Sequence, residues 1–278
     1  MLKLAAFADE ISPSLEDQAR VCRENGITHF ELRSVEKINV LDFDSARRTN
    51  IRDYLKSEGM GVACIGSPIG KIKIDEPWHP HFERFRYAVE LAEFFNAPMI
   101  RVFSYYGPSG GEDVHKHRDE VMRRMLAKVD YVRARPVTLV HENESGIFGD
   151  TGSHCLDLMQ TINSPKLRCA FDFANFVQVG DRPLDNWPTL KPFTVHIHVK
   201  DAMLNGGRVV PPGQGDGQIE PILVDAYQSG YRGFLSMEPH LAAHEQFFGF
   251  SGPDLFKVAC DGLKDICRRN GIPLASQI

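Results

Sequence analysis

Eight short apolar runs recur along this 278-residue chain, at residues 2–8, 28–32, 61–66, 98–103, 136–142, 167–172, 194–200 and 233–238. Most of the intervals between them carry amphipathic patterns. These lie at residues 14–26, roughly 43–58, 81–97, and roughly 112–134, 153–162, 217–229 and 253–270. In the first, Ser14 can cap the helix, Glu16 and Asp17 suit its positive end, and Gly26 stops it. In the third, Phe82, Phe85, Val89, Ala92 and Phe95 repeat at helical spacing. Eight strands alternating with helices is the pattern of an α/β protein built as a single (β/α)8 TIM barrel, here over residues 1–278. The rival, a doubly wound open sheet for a dinucleotide, expects a glycine-rich turn after the first strand. FADEISPSL, at that place, has no glycine.

The longest irregular stretches, about 66–80, 104–112 and 201–216, all follow predicted strands. A barrel puts them on one face, the face that carries the active site. Four apolar runs end unusually. VTLVHENE, LRCAFDFAN, TVHIHVKD and FLSMEPH bring Glu142, Asp172, His198 and Glu238 to or near four consecutive strand ends. Alternation puts His196 and His198 on one face, with Val195, Ile197 and Val199 pointing to the helix layer. It also pairs Val140 with Glu142. Each residue has an ordinary explanation. A lone strand histidine is more often a hydrogen-bonded core residue, Asp172 can cap the next turn, and a strand-end glutamate is usually solvated. Four together need a cation to be tolerable when buried. A Glu/Asp/His/Glu set suits one divalent metal such as Mn²⁺, Mg²⁺, Co²⁺ or Zn²⁺.

Composition narrows the class. Hydrophobic residues make up 42 % and charged residues 25 %, and the net charge is −5, which argues against a nucleic-acid partner. No apolar run is long enough to span a bilayer, so no membrane partner is expected. MLKLAAFADEISPS lacks the apolar stretch of a signal peptide. The six cysteines form no CxxC pair, and free, mostly buried thiols in a reducing cytoplasm are the expectation.

HENES, FDFANF, HIHVKDA, PGQGDGQI and GFLSMEPH, with the N-terminal ISPSLEDQARVCRENGITHFELRSV, resemble the signature segments of the xylose-isomerase-like TIM-barrel superfamily. That group contains ketose 3-epimerases, inosose dehydratases, hydroxypyruvate isomerases and the apurinic endonuclease branch. The resemblance covers nearly the whole chain. It implies a single metal held by Glu142, Asp172, His198 and Glu238, and a small polyhydroxylated substrate. Glu142 and Glu238 would act as acid and base in an isomerase or epimerase that passes through an enediolate. Oligomers are common in the superfamily, so a homo-oligomer is compatible with it.

Two positions depart from the epimerase pattern. Asn175 stands where epimerases carry a substrate-contacting histidine, and Leu204 where they carry an arginine that Lys200 or Arg208 would replace. The Asn variant and the HxKD motif at residues 198–201 resemble the broader sugar isomerases and the inosose-type dehydratases, so dehydration is the alternative reaction. An endonuclease would need three zinc ions and further histidines, and ELRSV, CIGSP and FSYYG supply none. A non-catalytic sugar-binding barrel is the remaining reading.

Other residues have two readings each. Arg33 and Arg101, ending strands two and four, either bind substrate or form loop salt bridges. His196 lies one layer below the metal, as a substrate or supporting contact. His240 orients Glu238 or lines the mouth. His141 faces the helix layer, and Glu144 is a loop residue or an alternative ligand. The alternate glycines of VVPPGQGDGQI cradle an oxyanion or make a tight turn. Lys71 and Lys73 meet an anionic substrate or lie exposed. Trp78 and Phe7 wall a sugar face or pack elsewhere.

Overall fold

The computed structural model describes residues 1–242 and 249–275. Its strands and helices alternate as β1 (Lys3–Ala6), α1 (Leu15–Glu24), β2 (His29–Leu32), α2 (Ser45–Ser57), β3 (Gly61–Ile65), α3 (Trp78–Phe95), β4 (Met99–Val102) and α4 (Arg118–Val132). There follow β5 (Thr138–Glu142), α5 (Gly152–Ile162), β6 (Leu167–Asp172), α6 (Phe173–Gln178), α7 (Pro183–Leu190), β7 (Thr194–Val199), α8 (Ile219–Gln228), β8 (Phe234–Met237) and α9 (Gly252–Arg269). The eight strands are parallel, each pairs with its neighbours in sequence, and β8 closes on β1. The fold is a (β/α)8 TIM barrel. Among the described residues no helix is long and apolar enough to cross a membrane.

Local chemistry explains the elements. Ser14 caps α1 by accepting a hydrogen bond from the Asp17 amide, and Gly26, at φ +72°, ends that turn. Along α9 the buried Phe256, Ala259, Cys260, Leu263, Ile266 and Cys267 form the stripe that faces the barrel. All six cysteines are buried and free. The two helices between β6 and β7 have no counterpart in the sequence reading. Each is too short to show a helical period, and Gly180, at φ +78°, separates them.

Strand alternation divides the core in two. Ile197, Val199, Leu235 and Met237 join the large core between barrel and helices, whereas Cys64, Met99, Val140 and Ala170 fill the lower barrel interior. Val195 differs from expectation and packs with the interior group. The register slips there: Thr194 pairs with Cys169 and His196 with Ala170, so Val195 is the extra residue of a bulge.

Loops after β3, β4 and β5 are stitched together by bridges from Lys73 to Tyr106 and from Tyr106 to Ile147. The loop after β7 is stitched differently. The amides of Gly213, Gly215 and Gly217 donate to the Asp201 carboxylate at 2.8, 3.0 and 2.9 Å, and the Ala202 amide does so at 3.0 Å. The oxyanion in the glycine cradle is thus the chain's own. A Cβ on Gly215 would lie 2.4 Å from Asp201 Oδ1 and 2.6 Å from the Ala202 carbonyl. Asp201→Ala should lower the urea-unfolding free energy by at least about 2 kcal/mol, because four amides lose one acceptor. Gly215→Ala should act in the same direction. An unchanged midpoint in both would contradict the strap.

Candidate active site

Four strand ends deliver one cluster. Glu142 closes β5, Asp172 closes β6, His198 is the penultimate residue of β7, and Glu238 lies one residue past β8. His198 is in register with Asp172 on one side and Ser236 on the other. One donor atom from each of the four residues lies within 4.8 Å of the rest, and all four are buried. His198 Nδ1 is 3.2 Å from Glu142 Oε1, 3.3 Å from Glu238 Oε2 and 4.0 Å from Asp172 Oδ2.

The other side of the imidazole faces Glu31, whose Oε2 is 3.2 Å from His198 Nε2. The same oxygen accepts from Ser236 Oγ at 2.7 Å and pairs with His196 Nε2 at 2.7 Å. Burial opposes ionisation of Glu31, yet the charges of His198 and His196 hold its carboxyl well below the usual range. An ionised carboxylate can only accept, so it favours the proton on Nε2 of His198 and leaves Nδ1 toward the cluster.

Phe7 packs edge-on to His198 at 5.2 Å, and Arg33 and Arg101 lie over its ring at 4.7 and 4.6 Å. Arg101 donates to Glu142 Oε2 at 2.9 Å and is 3.6 Å from Glu238 Oε1. Arg33 reaches Asp9 at 2.8 Å and Glu238 at 3.4 Å. Lys200 is 3.0 Å from Asp172 Oδ2 and 3.8 Å from Glu238 Oε2. Asn175 donates to Glu142 at 3.2 Å and to the Asn143 carbonyl at 2.8 Å. Asp172 does cap the next turn, but only through Oδ1, which accepts from the Asn175 amide. Oδ2 is left for the cluster. His240 Nε2 is 3.1 Å from Glu10 and 3.5 Å from Glu238, on a residue held at φ +49°.

The remaining candidates sit elsewhere. His196 is fully buried beneath His198, with its Nε2 2.7 Å from Glu31 Oε2. His141 is turned away to Ser104, at 2.9 Å. Glu144 pairs with Lys71 at 2.7 Å, and Lys73 reaches Ser109. Trp78 packs against Phe82 in α3. Leu204 and Arg208 are exposed in the loop after β7. Sequence reasoning missed Glu31, Glu10, Asp9 and Asn143. Glu31 had a signal, since His29, Glu31 and Arg33 alternate with Phe30 and Leu32. Glu10 had none, because it lies in a short turn, Ala8–Glu10, without periodicity.

Charge decides what the cluster can hold. Among the described residues, the buried carboxylates of Glu10, Glu31, Glu142, Asp172 and Glu238 face three buried cations, Arg33, Arg101 and Lys200. Asp172 Oδ2, His198 Nδ1 and Glu238 Oε2 are buried without a hydrogen bond among these residues, although Lys200 pairs with Asp172 Oδ2 at 3.0 Å. Three carboxylates and one imidazole, with excess negative charge and unsatisfied atoms aimed at one point, fit a divalent cation. Protons are its competitors. Burial works against a charge on His198, but Glu31 and Glu142 raise it well above the ordinary imidazole range. Burial pushes Asp172 up to about 7 despite Lys200. Burial would also raise Glu142, but His198 and Arg101 together hold the carboxyl at about 2.

The sequence model of the xylose isomerase-like TIM barrel family matches residues 19–275. A 3-dehydroshikimate dehydratase of Bacillus anthracis is 22% identical over 189 residues, covering 68% of this chain and 66% of that protein. The chain thus spans slightly under two thirds of that relative's length. A solved D-tagatose 3-epimerase-like protein superposes with a TM-score of 0.75 at 14% identity, covering 97% of this chain and 98% of the other. A xylose isomerase-like TIM barrel protein from Mycobacterium smegmatis, solved in complex with magnesium, gives 0.71 at 16%, covering 97% and 96%. At these identities the structural likeness is one of fold.

A metal held by this cluster would have to displace protons from His198 and Asp172. Affinity for Mn²⁺ should therefore fall as pH drops through about 7, with proton release on binding. Calorimetry in buffers of different ionisation enthalpy reads both. A pH-independent affinity with no buffer dependence would contradict the assignment.

Proposed function

The chain belongs to the xylose isomerase-like TIM barrel family, and on that premise we propose that it is a divalent-metal-dependent isomerase or epimerase of a small polyhydroxylated carbonyl compound. The observation that carries this reading is the convergence of Glu142, Asp172, Glu238 and His198 Nδ1 on one buried point. These four residues would hold the ion. When bound, a divalent ion supplies Lewis-acid polarisation of a carbonyl and acidifies the neighbouring C–H.

The chain's own groups do the proton work. Glu142 and Glu238 come from β5 and β8, which β6 and β7 separate in the barrel, so they reach the substrate position from different directions. Burial opposes ionisation of both, but His198 at Glu142 and Lys200 at Glu238 keep them charged, as bases must be. One removes the proton from carbon; the other returns one to the opposite face. Arg101 touches both carboxylates, and with Lys200 it places positive charge where an enediolate becomes negative. Beside Glu238, His240 is a proton store. Burial disfavours its charge, but Glu10 raises it to about 9, and its Nε2 is 3.5 Å from Glu238 Oε1.

Dehydration is the second reading. It is favoured by the relative named as a 3-dehydroshikimate dehydratase and by Asn175, which cannot act as an acid. The first step is the same proton abstraction. Lys200, a buried ammonium next to Asp172, would then protonate a leaving hydroxyl.

Glu238→Gln keeps the shape but removes the base. Turnover should fall about 10²–10⁴-fold with an unchanged circular dichroism spectrum. Activity equal to wild type would sink the acid–base assignment. Proton NMR in D₂O with ketoses and cyclic ketopolyols separates the two reactions. An epimerase exchanges a C–H without loss of water, and a dehydratase yields a new unsaturated or dione product.

A further inference from the structure

We propose that Asn143 is a positioning residue of this site. Its side-chain amide adds one rung to the ladder between β5 and β6, and so fixes Glu142 and Asp172 against each other before any ion arrives. The inference rests on the reading of Glu142, Asp172, His198 and Glu238 as ligands of one metal, and it deepens that reading.

The backbone sets the problem. The register between β5 and β6 ends with Glu142 opposite Ala170. β5 stops at Glu142, whereas β6 runs on to Asp172, so the peptide groups of Asp172 lie past the end of the ladder. Asn143 Oδ1 accepts from the Asp172 amide at 2.9 Å, and Asn143 Nδ2 donates to the Asp172 carbonyl at 2.9 Å. A carboxamide carries the same N–H and C=O as a peptide unit, so it stands in for one. The backbone carbonyl of Asn143 accepts from Asn175 Nδ2 at 2.8 Å, and that nitrogen also reaches Glu142 Oε1 at 3.2 Å. The Asn175 amide donates to Asp172 Oδ1 at 2.8 Å. These bonds close a ring through Glu142, Asn175, Asp172 and Asn143, and both asparagines are buried.

Charge gives the ring its purpose. Glu142 and Asp172 are buried carboxylates directed at one point, and like charges move apart unless their strand ends are held. The ring spends Asp172 Oδ1 and leaves Oδ2 toward the cluster. Ligands held in place beforehand lose less freedom when an ion binds. Residue type is restrictive. Aspartate has the same shape, but its carboxylate cannot donate to the Asp172 carbonyl. Glutamine carries the amide one methylene too far. Alanine leaves both peptide groups of Asp172 without this partner.

The test is the Mn²⁺ affinity of the full chain, read from the free-ion signal in electron paramagnetic resonance. The chains compared are wild type, Asn143→Asp, Asn143→Ala and Ser14→Ala. Ser14→Ala removes the remote cap of α1 and so controls for lost stability alone. Both Asn143 variants should bind Mn²⁺ roughly 10- to 100-fold more weakly than wild type, and Ser14→Ala should match wild type. Wild-type affinity in an Asn143 variant whose circular dichroism spectrum is native overturns this proposal and leaves the metal reading standing. A wild-type chain that binds no Mn²⁺ overturns both. An equal loss in Ser14→Ala assigns the effect to stability and overturns the positioning role. Asn143→Asp, which keeps the side-chain shape, decides the case if Asn143→Ala does not fold.

Discussion

Negative charge buried at the C-terminal end of a barrel is the constraint on which this structure turns. Carboxylates taken out of water are costly unless positive charge and hydrogen bonds meet them. Here Arg101 spans Glu142 and Glu238, Arg33 spans Asp9 and Glu238, and Lys200 reaches Asp172. Phe7 lies beneath both guanidinium groups and against His198, so one apolar ring fixes the height of three charged groups. Below them, Glu31 takes hydrogen-bonding partners from β7 and β8 at once, His196 and Ser236. The cluster of Glu142, Asp172, His198 and Glu238 is therefore the top layer of a stack of paired charges rather than four isolated side chains.

How much of this was legible follows from periodicity. A strand shows itself by alternation, and a charged residue at its end shows itself by contrast, which is why Glu142, Asp172, His198 and Glu238 could be picked out. Glu31 obeys the same alternation, but it sits within its strand, where a charge reads as an exception. Glu10 and Asp9 lie in a turn with no period to contrast against. Helices α6 and α7 are too short to repeat, and the bulge at Val195 cannot be seen without the partner strand. The glycine run allowed either an oxyanion cradle or a tight turn, and the oxyanion it holds belongs to Asp201. That assignment depends on a contact 12 to 16 residues away in the chain.

The shell and its surroundings carry different information. On the proposed reading, three carboxylates and an imidazole around a metal would serve any reaction that begins by removing a proton beside a carbonyl. The outcome depends on which acid acts next, and the candidates are the groups around the shell. On the proposed reading, His240, which adjoins Glu238, would reload it for reprotonation of carbon. On the alternative reading, Lys200, which adjoins Asp172, would serve a departing hydroxyl. Asn175 is occupied by Glu142 and the Asn143 carbonyl, so it orients a carboxylate and donates no proton.

The central claim is that the excess charge at this mouth is met by one divalent ion among Glu142, Asp172, His198 and Glu238. Anomalous diffraction at the manganese edge, from crystals grown with Mn²⁺, tests it most directly. The account predicts a peak bounded by those four side chains, on the Nδ1 side of His198, with Nε2 still toward Glu31. A mouth with no peak, its carboxylates neutralised by Lys200 and protons alone, would contradict it.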